Sequence, residues 1–261
     1  MPFTRAIVRA PSLSFAAGLS SGLEGAPDVG RALEQHAAYV QALRDCGLAV
    51  TSLEPQCEYP DSTFVEDTAI VTGRGAVLTR PGAPSRQGEV PSMAQCLRDF
   101  FAELPNIAPP GSMDGGDICE AEGHFLIGVS ARTNADGARQ LAQHLARWGY
   151  ASSTLDIRSN PSLLHLKSGI AYVGEGVWVA DRSIEAALRL ERGIEIRDLI
   201  VVPAAEAYAA NCVRVNGAVL APAGYPLMSG ALERSGHRVI SLDVSEFRKM
   251  DGGLSCLSLR F

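Results

Sequence analysis

Three residues that could together perform covalent catalysis are spread widely along this chain. Cys256 lies five residues from the end in DGGLSCLSLRF, His165 lies in LLHLKSG, and Asp114 lies in MDGGD. A thiolate is a strong nucleophile, an imidazole can move protons, and a carboxylate can orient the imidazole. Each residue alone is more often structural. Together they indicate a nucleophile, its acid/base and an orienting group, if the fold assembles them.

Further polar residues lie where apolar segments begin. They are mostly acids and amides: Asp61, Glu66, Asp67, Asp117, Lys167 and Asn211. Carboxylates that face a common point are suited to a small cationic ligand, because a buried cation needs acceptors for its N–H groups. The net charge of −6 agrees with such a ligand and argues against nucleic acid as a partner.

The elements that must position these residues repeat along the chain. Apolar residues at helical spacing predict five helices: Pro27 to Cys46, Pro91 to Leu104, Asn134 to Trp148, Ser183 to Arg192 and Leu227 to Ser235. A short strand follows each helix, except that the second is followed only by a brief run near Ile107. A hairpin with a glycine-bearing turn comes next. The repeating unit is therefore ββαβ.

Five hairpin starts mark the repeat, at Phe64, Asp114, His165, Asn211 and Cys256, with intervals of 45 to 51 residues. Such a period is typical of propellers and stacked arrays. The last hairpin lacks its second strand, which the amino-terminal TRAIVRA can supply by closing a ring. We therefore predict one α/β domain over residues 1–261, a five-bladed propeller, in preference to a doubly wound sheet.

The final segment alternates like a strand. Leu257, Leu259 and Phe261 would face one side, and Cys256 would face the other with Ser258 and Arg260. This pattern predicts that the thiol lies on the polar face of a strand rather than in the core.

Composition limits the remaining possibilities. No apolar run reaches the roughly 18 residues of a membrane span, and the amino terminus has no apolar signal core. The six cysteines show no C-x-x-C pair, so they are expected to be reduced thiols. We predict a cytoplasmic protein that binds a small molecule, not nucleic acid or membrane, and that pairs as a homodimer.

Seven segments in this order resemble dimethylarginine dimethylaminohydrolase, a guanidine-modifying hydrolase family of the pentein superfamily. They are YPDSTFVEDTAI, MDGGDI, SARTNADGARQL, HLKSGIAYVG, YAANCVRVNG, APAGYP and KMDGGLSCLSLRF. The resemblance implies a five-bladed α/β propeller with a central site. It also implies hydrolysis of Nω-methylated arginines to citrulline and a methylamine, with no metal and no organic cofactor.

The resemblance also implies roles for individual residues. Cys256 matches the nucleophile, His165 the general acid/base and Asp114 the carboxylate that orients it, where the family has Glu or Asp. The implied substrate-binding residues are Glu66 and Asp67 for the guanidinium, Asp61 and the Leu19 carbonyl for the α-ammonium, Arg86 and Arg132 for the α-carboxylate, and Phe64 for the aliphatic stem.

The Gly- and Ser-rich loop of residues 12–26 carries Leu19 and is predicted to close as a lid. Three alternatives stay open. An arginine deiminase would act on unmethylated arginine, although this chain lacks room for the inserted helical domain of such enzymes. A non-catalytic propeller, like the ribosome-associated translation initiation factor of this fold, would not need Cys, His and paired acids. A papain-like hydrolase fits poorly, because no C-G-x-C-W segment exists.

Overall fold

The computed structural model describes residues 2–22 and 24–261, and one strand pattern recurs through it. An antiparallel hairpin is followed by a helix, and the next strand then pairs in parallel with the second strand of that hairpin. The strands in the described part of the chain are β1 Arg5–Arg9, β2 Ala49–Leu53, β3 Ala69–Thr72, β4 Gly75–Leu78, β5 Ile118–Ala121, β6 His124–Val129, β7 Ala151–Asp156, β8 Ile170–Gly174, β9 Val177–Asp181, β10 Asp198–Val202, β11 Val213–Val215, β12 Ala218–Pro222, β13 Arg238–Leu242 and β14 Leu259–Arg260.

Within the described residues these strands form five sheets, one for each predicted repeat: β3-β4, β5-β6-β7, β8-β9-β10, β11-β12-β13 and β14-β1-β2. The first of these sheets has only two strands, and Asn106 adds a single parallel bridge to Leu78, as the brief run near Ile107 predicted. The pairing of the two chain ends is also confirmed. β1 runs antiparallel to β14, with Ala6 opposite Arg260 and Ile7 opposite Leu259.

The five predicted helices are present; four of them are shorter than predicted, and the last has the predicted length but begins one residue earlier. The α-helices in the described residues are α1 Val29–Asp45, α2 Val90–Leu97, α3 Ala135–Arg147, α4 Leu166–Gly169, α5 Glu185–Leu190, α6 Pro226–Arg234 and α7 Ser245–Arg248. The side chain of Asp28 caps α1 by accepting the N–H of Arg31, and Asn134 caps α3 through the N–H of Gly137. Side-chain acceptors at this position satisfy N–H groups that have no partner within the helix.

The predicted end of the second helix at Leu104 is wrong. α2 ends at Leu97, and turns occupy residues 98–100. Pro105 disfavours a helical conformation at Leu104 and offers no N–H group to extend the helix.

A short helical turn precedes the first strand of every hairpin in the described chain. These turns are Val65–Thr68, Gly115–Asp117, α4, Ala204–Ala210 and Ser255–Leu257. All except α4 are 3₁₀ helices, and further 3₁₀ helices cover Phe15–Ala17, Pro60–Thr63 and Pro84–Glu89. The candidate site residues at the hairpin starts therefore lie in or beside turns rather than on strands.

This arrangement corrects the strand predicted around Cys256. The thiol lies in the turn Ser255–Leu257, where the N–H of Cys256 donates to the carbonyl of Gly253 at 3.2 Å. Only Leu259 and Arg260 of the segment pair as a strand. Two glycines precede the turn, and a Cβ on Gly252 would lie 2.2 Å from the Phe64 ring. The alternating pattern is too short to distinguish a strand from such a turn.

The chain forms two compact units, Met1–Glu66 with Cys212–Phe261, and Asp67–Asn211. The first contains the sheets β14-β1-β2 and β11-β12-β13, and its fully buried side chains include Ile7, Phe15, Tyr39, Leu43 and Phe247. The second contains the other three sheets, with one apolar cluster around Phe125 and another around Trp178. The expectation of a single domain stays a prediction.

No helix among residues 2–22 and 24–261 combines the length and the apolar character needed to cross a lipid bilayer.

Candidate active site

In the second unit, the predicted acid/base and its orienting carboxylate are in contact. His165 Nε2 lies 3.0 Å from Asp114 Oδ2, and both side chains are buried, with 6% and 0% of their surfaces exposed. The other oxygen of Asp114 accepts the backbone N–H of Gly82 at 2.8 Å. Asp114 therefore has a fixed orientation and holds the imidazole through Nε2. Asp, one methylene shorter than Glu, reaches the imidazole here.

The Asp117 carboxylate holds the start of the helical turn that follows His165. The N–H of Leu166, the next residue, donates to Asp117 Oδ1 at 2.9 Å, and Ser130 Oγ donates to Asp117 Oδ2 at 2.7 Å. Burial raises the pKa of Asp117, although the charge of His165 and hydrogen bonds to Thr133, Ser130 and Leu166 act in the opposite direction. Asp117 therefore links the β5-β6 hairpin to the start of α4.

His165 is surrounded by acids that favour its protonated form. Burial lowers its pKa, but the charge of Asp67, the hydrogen bond to Asp114 and the charges of Asp117 and Asp114 outweigh burial and raise the pKa to about 9. An opposite charge nearby favours the charged form of a group. The imidazole is therefore positively charged at neutral pH and can donate a proton.

Asp67 lies in the same cluster. Its Oδ1 accepts the N–H of Gly116 at 2.8 Å, and its Oδ2 accepts from the guanidinium of Arg86. Burial raises the pKa of Asp67, but His165, Arg86 and the Gly116 hydrogen bond together lower it to about 2. Asp67 is therefore a buried carboxylate that stays ionised across the physiological range.

Arg86 is paired with two acids of its own unit. Besides its bond to Asp67, its Nε donates to Glu89 Oε1 at 3.0 Å and its NH2 donates to Glu89 Oε2 at 2.8 Å. Burial lowers the pKa of Arg86, but Asp67 and Glu89 raise it well above its ordinary value. The structure thus shows Arg86 holding Asp67, and its predicted contact with a substrate carboxylate stays a prediction. Sequence analysis missed Glu89, whose only signal is its i+3 spacing from Arg86.

Arg132, the second predicted carboxylate clamp, lies near Asp114. Its NH1 is 3.5 Å from Asp114 Oδ2, and its side chain is 19% exposed. A Cβ on Gly82 would lie 2.3 Å from the backbone oxygen of Arg132, so the two segments approach closely only because residue 82 is glycine.

One atom each from Asp67, Asp114 and His165 lie within 4.8 Å of one another, a spacing that a metal ion could bridge. The negative charges of this cluster are already compensated by Arg86 and by the protonated imidazole. The residues therefore suit a proton-transfer site.

In the first unit, Ser255, the residue before Cys256, contacts a carboxylate predicted to bind the substrate. Ser255 Oγ is 2.9 Å from Glu66 Oε2 and 3.9 Å from Cys256 Sγ. Glu66 is buried, and the thiol is half-buried. The predicted nucleophile and a predicted guanidinium-binding acid therefore share a neighbour, which sequence analysis did not single out.

The predicted α-ammonium site is also assembled in this unit. Both carboxylate oxygens of Asp61 accept the backbone N–H of Leu19, at 3.0 and 3.2 Å. A Cβ on Gly18 would lie 2.4 Å from Asp61 Oδ1, so a side chain there would displace the carboxylate. The prediction named the carbonyl of Leu19, whereas the N–H makes the observed bond; a role for the carbonyl stays a prediction.

Phe64 belongs to an aromatic cluster at the base of the candidate lid. Its ring centroid lies 6.0 Å from that of Phe15 and 6.3 Å from that of Phe247. Phe15 is fully buried, so the start of loop 12–26 is anchored in the core. Residues 19–22 and 24–26 are exposed, and they are held by the bond of the Leu19 N–H to Asp61 and by contacts of Ser21 with Asp251 and of Glu24 with Arg248. Leu23, which the predicted lid includes, lies outside the described residues.

The structure thus brings the predicted residues together in two sets. His165, Asp114, Asp67, Arg86 and Arg132 are linked within the second unit, and Cys256, Glu66, Asp61, Phe64 and Leu19 belong to the first. Joint action of the two sets on one substrate is a proposal.

Comparison with known proteins identifies relatives over the full chain. The family profile described as "Arginine deiminase" matches residues 56–206. The N(G),N(G)-dimethylarginine dimethylaminohydrolase of Pseudomonas aeruginosa is 43% identical, over 99% of this chain and 100% of its own length. The protein of the same name from Streptomyces coelicolor is 32% identical, over 100% of this chain and 98% of its own length.

Solved structures share the fold and confirm the predicted fold class. A cysteine-to-serine variant of the Pseudomonas aeruginosa enzyme in complex with citrulline superimposes with a TM-score of 0.94 at 42% identity, covering both chains completely. A histidine-to-glycine variant of a dimethylarginine dimethylaminohydrolase, in an adduct with S-methyl-L-thiocitrulline, gives a TM-score of 0.93 at 42% identity over 99% of this chain and 100% of its own.

The amino-terminal domain of ArgZ, a cyanobacterial arginine dihydrolase, has the same fold at only 21% identity. Its TM-score is 0.87 over 100% of this chain and 97% of that domain. The full-length matches at 43% and 32% identity are therefore the ones that decide the family. This chain belongs to the dimethylarginine dimethylaminohydrolase family of hydrolases, within the wider group that the arginine deiminase profile describes.

Proposed function

We propose that this protein hydrolyses Nω,Nω-dimethyl-L-arginine and Nω-monomethyl-L-arginine to L-citrulline and dimethylamine or methylamine. The observation that carries the proposal is the buried His165–Asp114 pair, whose acidic surroundings raise the pKa of the imidazole to about 9. Relatives of the same family that bind citrulline or a thiocitrulline adduct support it.

Substrate binding follows from the charge of the guanidinium group. This group is planar, permanently charged and donates hydrogen bonds without accepting any, so it needs carboxylates when buried. We assign Glu66 and Asp67 to this task. Asp61 and the backbone carbonyl of Leu19 take the α-ammonium, Arg86 and Arg132 take the α-carboxylate, and Phe64 packs along the aliphatic stem.

In the first chemical step, the thiolate of Cys256 attacks the guanidinium carbon and the protonated His165 gives a proton to the departing dimethylamine. The C–N bond breaks, and a covalent S-alkylthiouronium remains on Cys256. A thiolate suits this step, because three nitrogens share the charge of the carbon and make it a poor electrophile. The substrate cation also favours the thiolate over the thiol.

In the second step, the neutral His165 takes a proton from water while the water oxygen attacks the thiouronium carbon. The C–S bond then breaks as the hydroxyl proton of the adduct passes to solvent, citrulline leaves, and the Cys256 thiolate and the protonated His165 are restored. Asp114 holds the ring by its Nε2 throughout. Closure of loop 12–26 would exclude bulk water from the charged site.

The deciding experiment separates this activity from that of an arginine deiminase. Chain length alone does not do so, because the ArgZ domain has a similar extent and comes from an enzyme of arginine. Asymmetric dimethylarginine and arginine are supplied separately, and citrulline, dimethylamine and ammonia are measured. We expect citrulline with dimethylamine from the first substrate and little turnover of the second.

The variant Cys256→Ser tests the nucleophile in the same assay. Loss of a catalytic nucleophile typically costs at least ~10³-fold in kcat. Substantial activity of this variant, or release of ammonia from arginine in preference to dimethylamine, would contradict the proposal. Absence of turnover of both substrates by the wild-type protein would favour a non-catalytic binding role.

We also propose a cytoplasmic homodimer that uses neither nucleic acid nor membrane as a partner. The net charge of −6 supports the exclusion of nucleic acid as a partner. Light scattering of the purified protein tests the dimer through its molar mass.

A further inference from the structure

The helical turn at Cys256 directs the side chain of the neighbouring Ser255 differently from a strand. Successive side chains of a strand point to opposite faces, whereas those of a 3₁₀ turn differ by about 120° and can approach one region together. Ser255 Oγ accordingly lies within reach of both Glu66 Oε2, at 2.9 Å, and Cys256 Sγ, at 3.9 Å.

The direction of these hydrogen bonds follows from the groups involved. A carboxylate only accepts, so the single proton of the Ser255 hydroxyl is donated to Glu66. Both residues are buried, with 4% and 3% of their surfaces exposed. A hydrogen bond to a buried charged group is stronger than one between neutral groups, so this contact fixes the orientation of Glu66.

The other oxygen of Glu66 faces a cation from the same terminal segment. Arg260 NH2 lies 3.9 Å from Glu66 Oε1, and Arg260 NH1 donates to Ser258 Oγ at 2.7 Å. Ser258 Oγ in turn lies 2.6 Å from the hydroxyl of Tyr39 in α1. Residues 255–260 thus hold the Glu66 carboxylate from two sides and also carry the nucleophile.

We propose that Ser255 is a positioning residue that holds Glu66 beside Cys256, so that a cationic carbon bound by Glu66 lies in line with the thiolate. This inference rests on the proposed function, in which Glu66 binds the guanidinium. The role of Ser255 is to set the geometry between cation binding and attack. It is not a nucleophile or a proton donor to substrate.

Two alkylating reagents of nearly equal size isolate this role. Chloroacetamidine carries a positive amidinium group, whereas chloroacetamide is neutral, and both alkylate a thiolate by displacing chloride. Only the cationic reagent gains from a carboxylate placed next to the thiol. The ratio of their alkylation rates at Cys256, measured by mass spectrometry, therefore reports cation recognition at the nucleophile.

The test compares wild type, Ser255→Ala and a matched control, Ser245→Ala. Ser245 belongs to the same unit and also makes a 2.9 Å side-chain bond, to Gln35. In S255A we expect kcat/KM and the chloroacetamidine rate to fall together by about 10- to 100-fold, while the chloroacetamide rate changes less than about threefold. In S245A all three rates should stay within about threefold of wild type. S255T, which restores a hydroxyl, should recover part of the loss.

Each outcome decides one question. Wild type without citrulline formation and without preference for the amidine would refute the proposed function. Wild type with both properties, but S255A unchanged, would refute the role of Ser255 alone. An equal fall of both alkylation rates in S255A would also refute it, because Ser255 would then act on the thiol or on folding. Circular dichroism and thermal unfolding of S255A exclude the last explanation when they match S245A.

Discussion

His165 is charged at neutral pH because the buried acids around its ring raise the pKa of the imidazole to about 9. Asp67 and Asp114 both lie next to the ring, and Asp117 holds the following residue through its backbone N–H. Burial alone would lower the pKa of a histidine, and it does so for His36, to about 4. The difference between these two histidines shows that charged partners, and not burial, decide the protonation state of His165.

The substitution Asp114→Asn tests this explanation. It removes one negative charge and weakens the bond at Nε2, so the pKa of His165 should fall from about 9 toward neutrality. Titration of ¹⁵N-labelled histidine by NMR measures it directly. The alkaline limb of kcat/KM, which reports the free enzyme, should move to lower pH.

Asp136→Asn serves as the control, because Asp136 is an exposed partner of Arg139. An unchanged His165 pKa in D114N would contradict the assignment. The raised pKa of His165 also makes the stability of the folded protein depend on pH. The folded-state pKa is raised, so this group stabilises the wild type fully below about pH 6.5, and the contribution is lost as the pH rises through about 9.

Gly116 offers a second test at the scale of single residues. A Cβ at this position would lie 2.7 Å from His165 Nδ1 and 3.1 Å from Asp67 Oδ1. Gly116→Ala should therefore displace the imidazole ring of His165 and impair its proposed proton transfer, which should lower kcat by about 10²-fold. Overpacking should cost about 1–3 kcal/mol in the free energy of unfolding, measured in urea.

Gly217→Ala is the matched control. No atom lies within 4 Å of its added Cβ, and its backbone does not require glycine. Its kcat should equal that of wild type, and its stability should change by less than about 0.5 kcal/mol. Wild-type kcat in G116A would show that the ring does not need its observed place.

At the scale of elements, the candidate site residues at the hairpin starts lie in or directly beside the helical turn that precedes each hairpin. Asp67, Asp117 and Cys256 lie within such turns, and Asp114 and His165 immediately precede them. A turn exposes its side chains at the end of the sheet and leaves the strands free to pack. Sequence analysis located the hairpins because their alternation is periodic, but single turns of three or four residues have no period to detect.

Loop 12–26 consists of two parts with different attachments. Its start is fixed by Phe15 in the aromatic cluster and by Gly18 against Asp61, whereas its exposed part is held by the Asp251 carboxylate, which accepts from the backbone and hydroxyl of Ser21. If the loop is a lid, we expect only the second part to move.

Asp251→Asn is the corresponding test. Asp251 has φ 56°, a left-handed conformation that Asn also adopts readily, so the change removes charge without adding backbone strain. We expect faster proteolysis within residues 19–26 and a KM raised about threefold to tenfold, with the loop protected again by citrulline. Asp156→Asn, at an exposed partner of Arg158, should leave both unchanged. Equal cleavage with and without citrulline would contradict a closing lid.

At the scale of the whole molecule, the two chain ends complete one sheet of the first unit. Phe261 exchanges backbone hydrogen bonds with Arg5, and its carbonyl also accepts from Thr4. The sequence predicted this closure because the fifth hairpin lacks a second strand. The segment that carries Cys256 is therefore held by pairing between residues more than 250 positions apart.

Graded truncation measures what this pairing contributes. Deletion of residues 259–261 removes β14 and the Arg260 partner of Glu66, so we expect a loss of about 3 kcal/mol or more in the free energy of unfolding and loss of activity. Deletion of Phe261 alone keeps both strand pairs and should cost less. Equal effects of the two deletions in denaturant unfolding would show that β14 itself contributes little.

The sequence by itself determined the repeat, the hairpins, the fold class and the family, because these depend on local hydrophobic periodicity and on motifs that can be read along the chain. It also selected His165, Asp114 and Asp67, which the structure brings into one cluster. Tertiary structure alone decided which partners those residues have: Glu89 and Asp67 for Arg86, and Ser255 for Glu66. Partners of this kind lie 3 to 189 positions apart. Which acid compensates which cation depends on burial and on the distance between the side chains, and the local sequence pattern reveals neither.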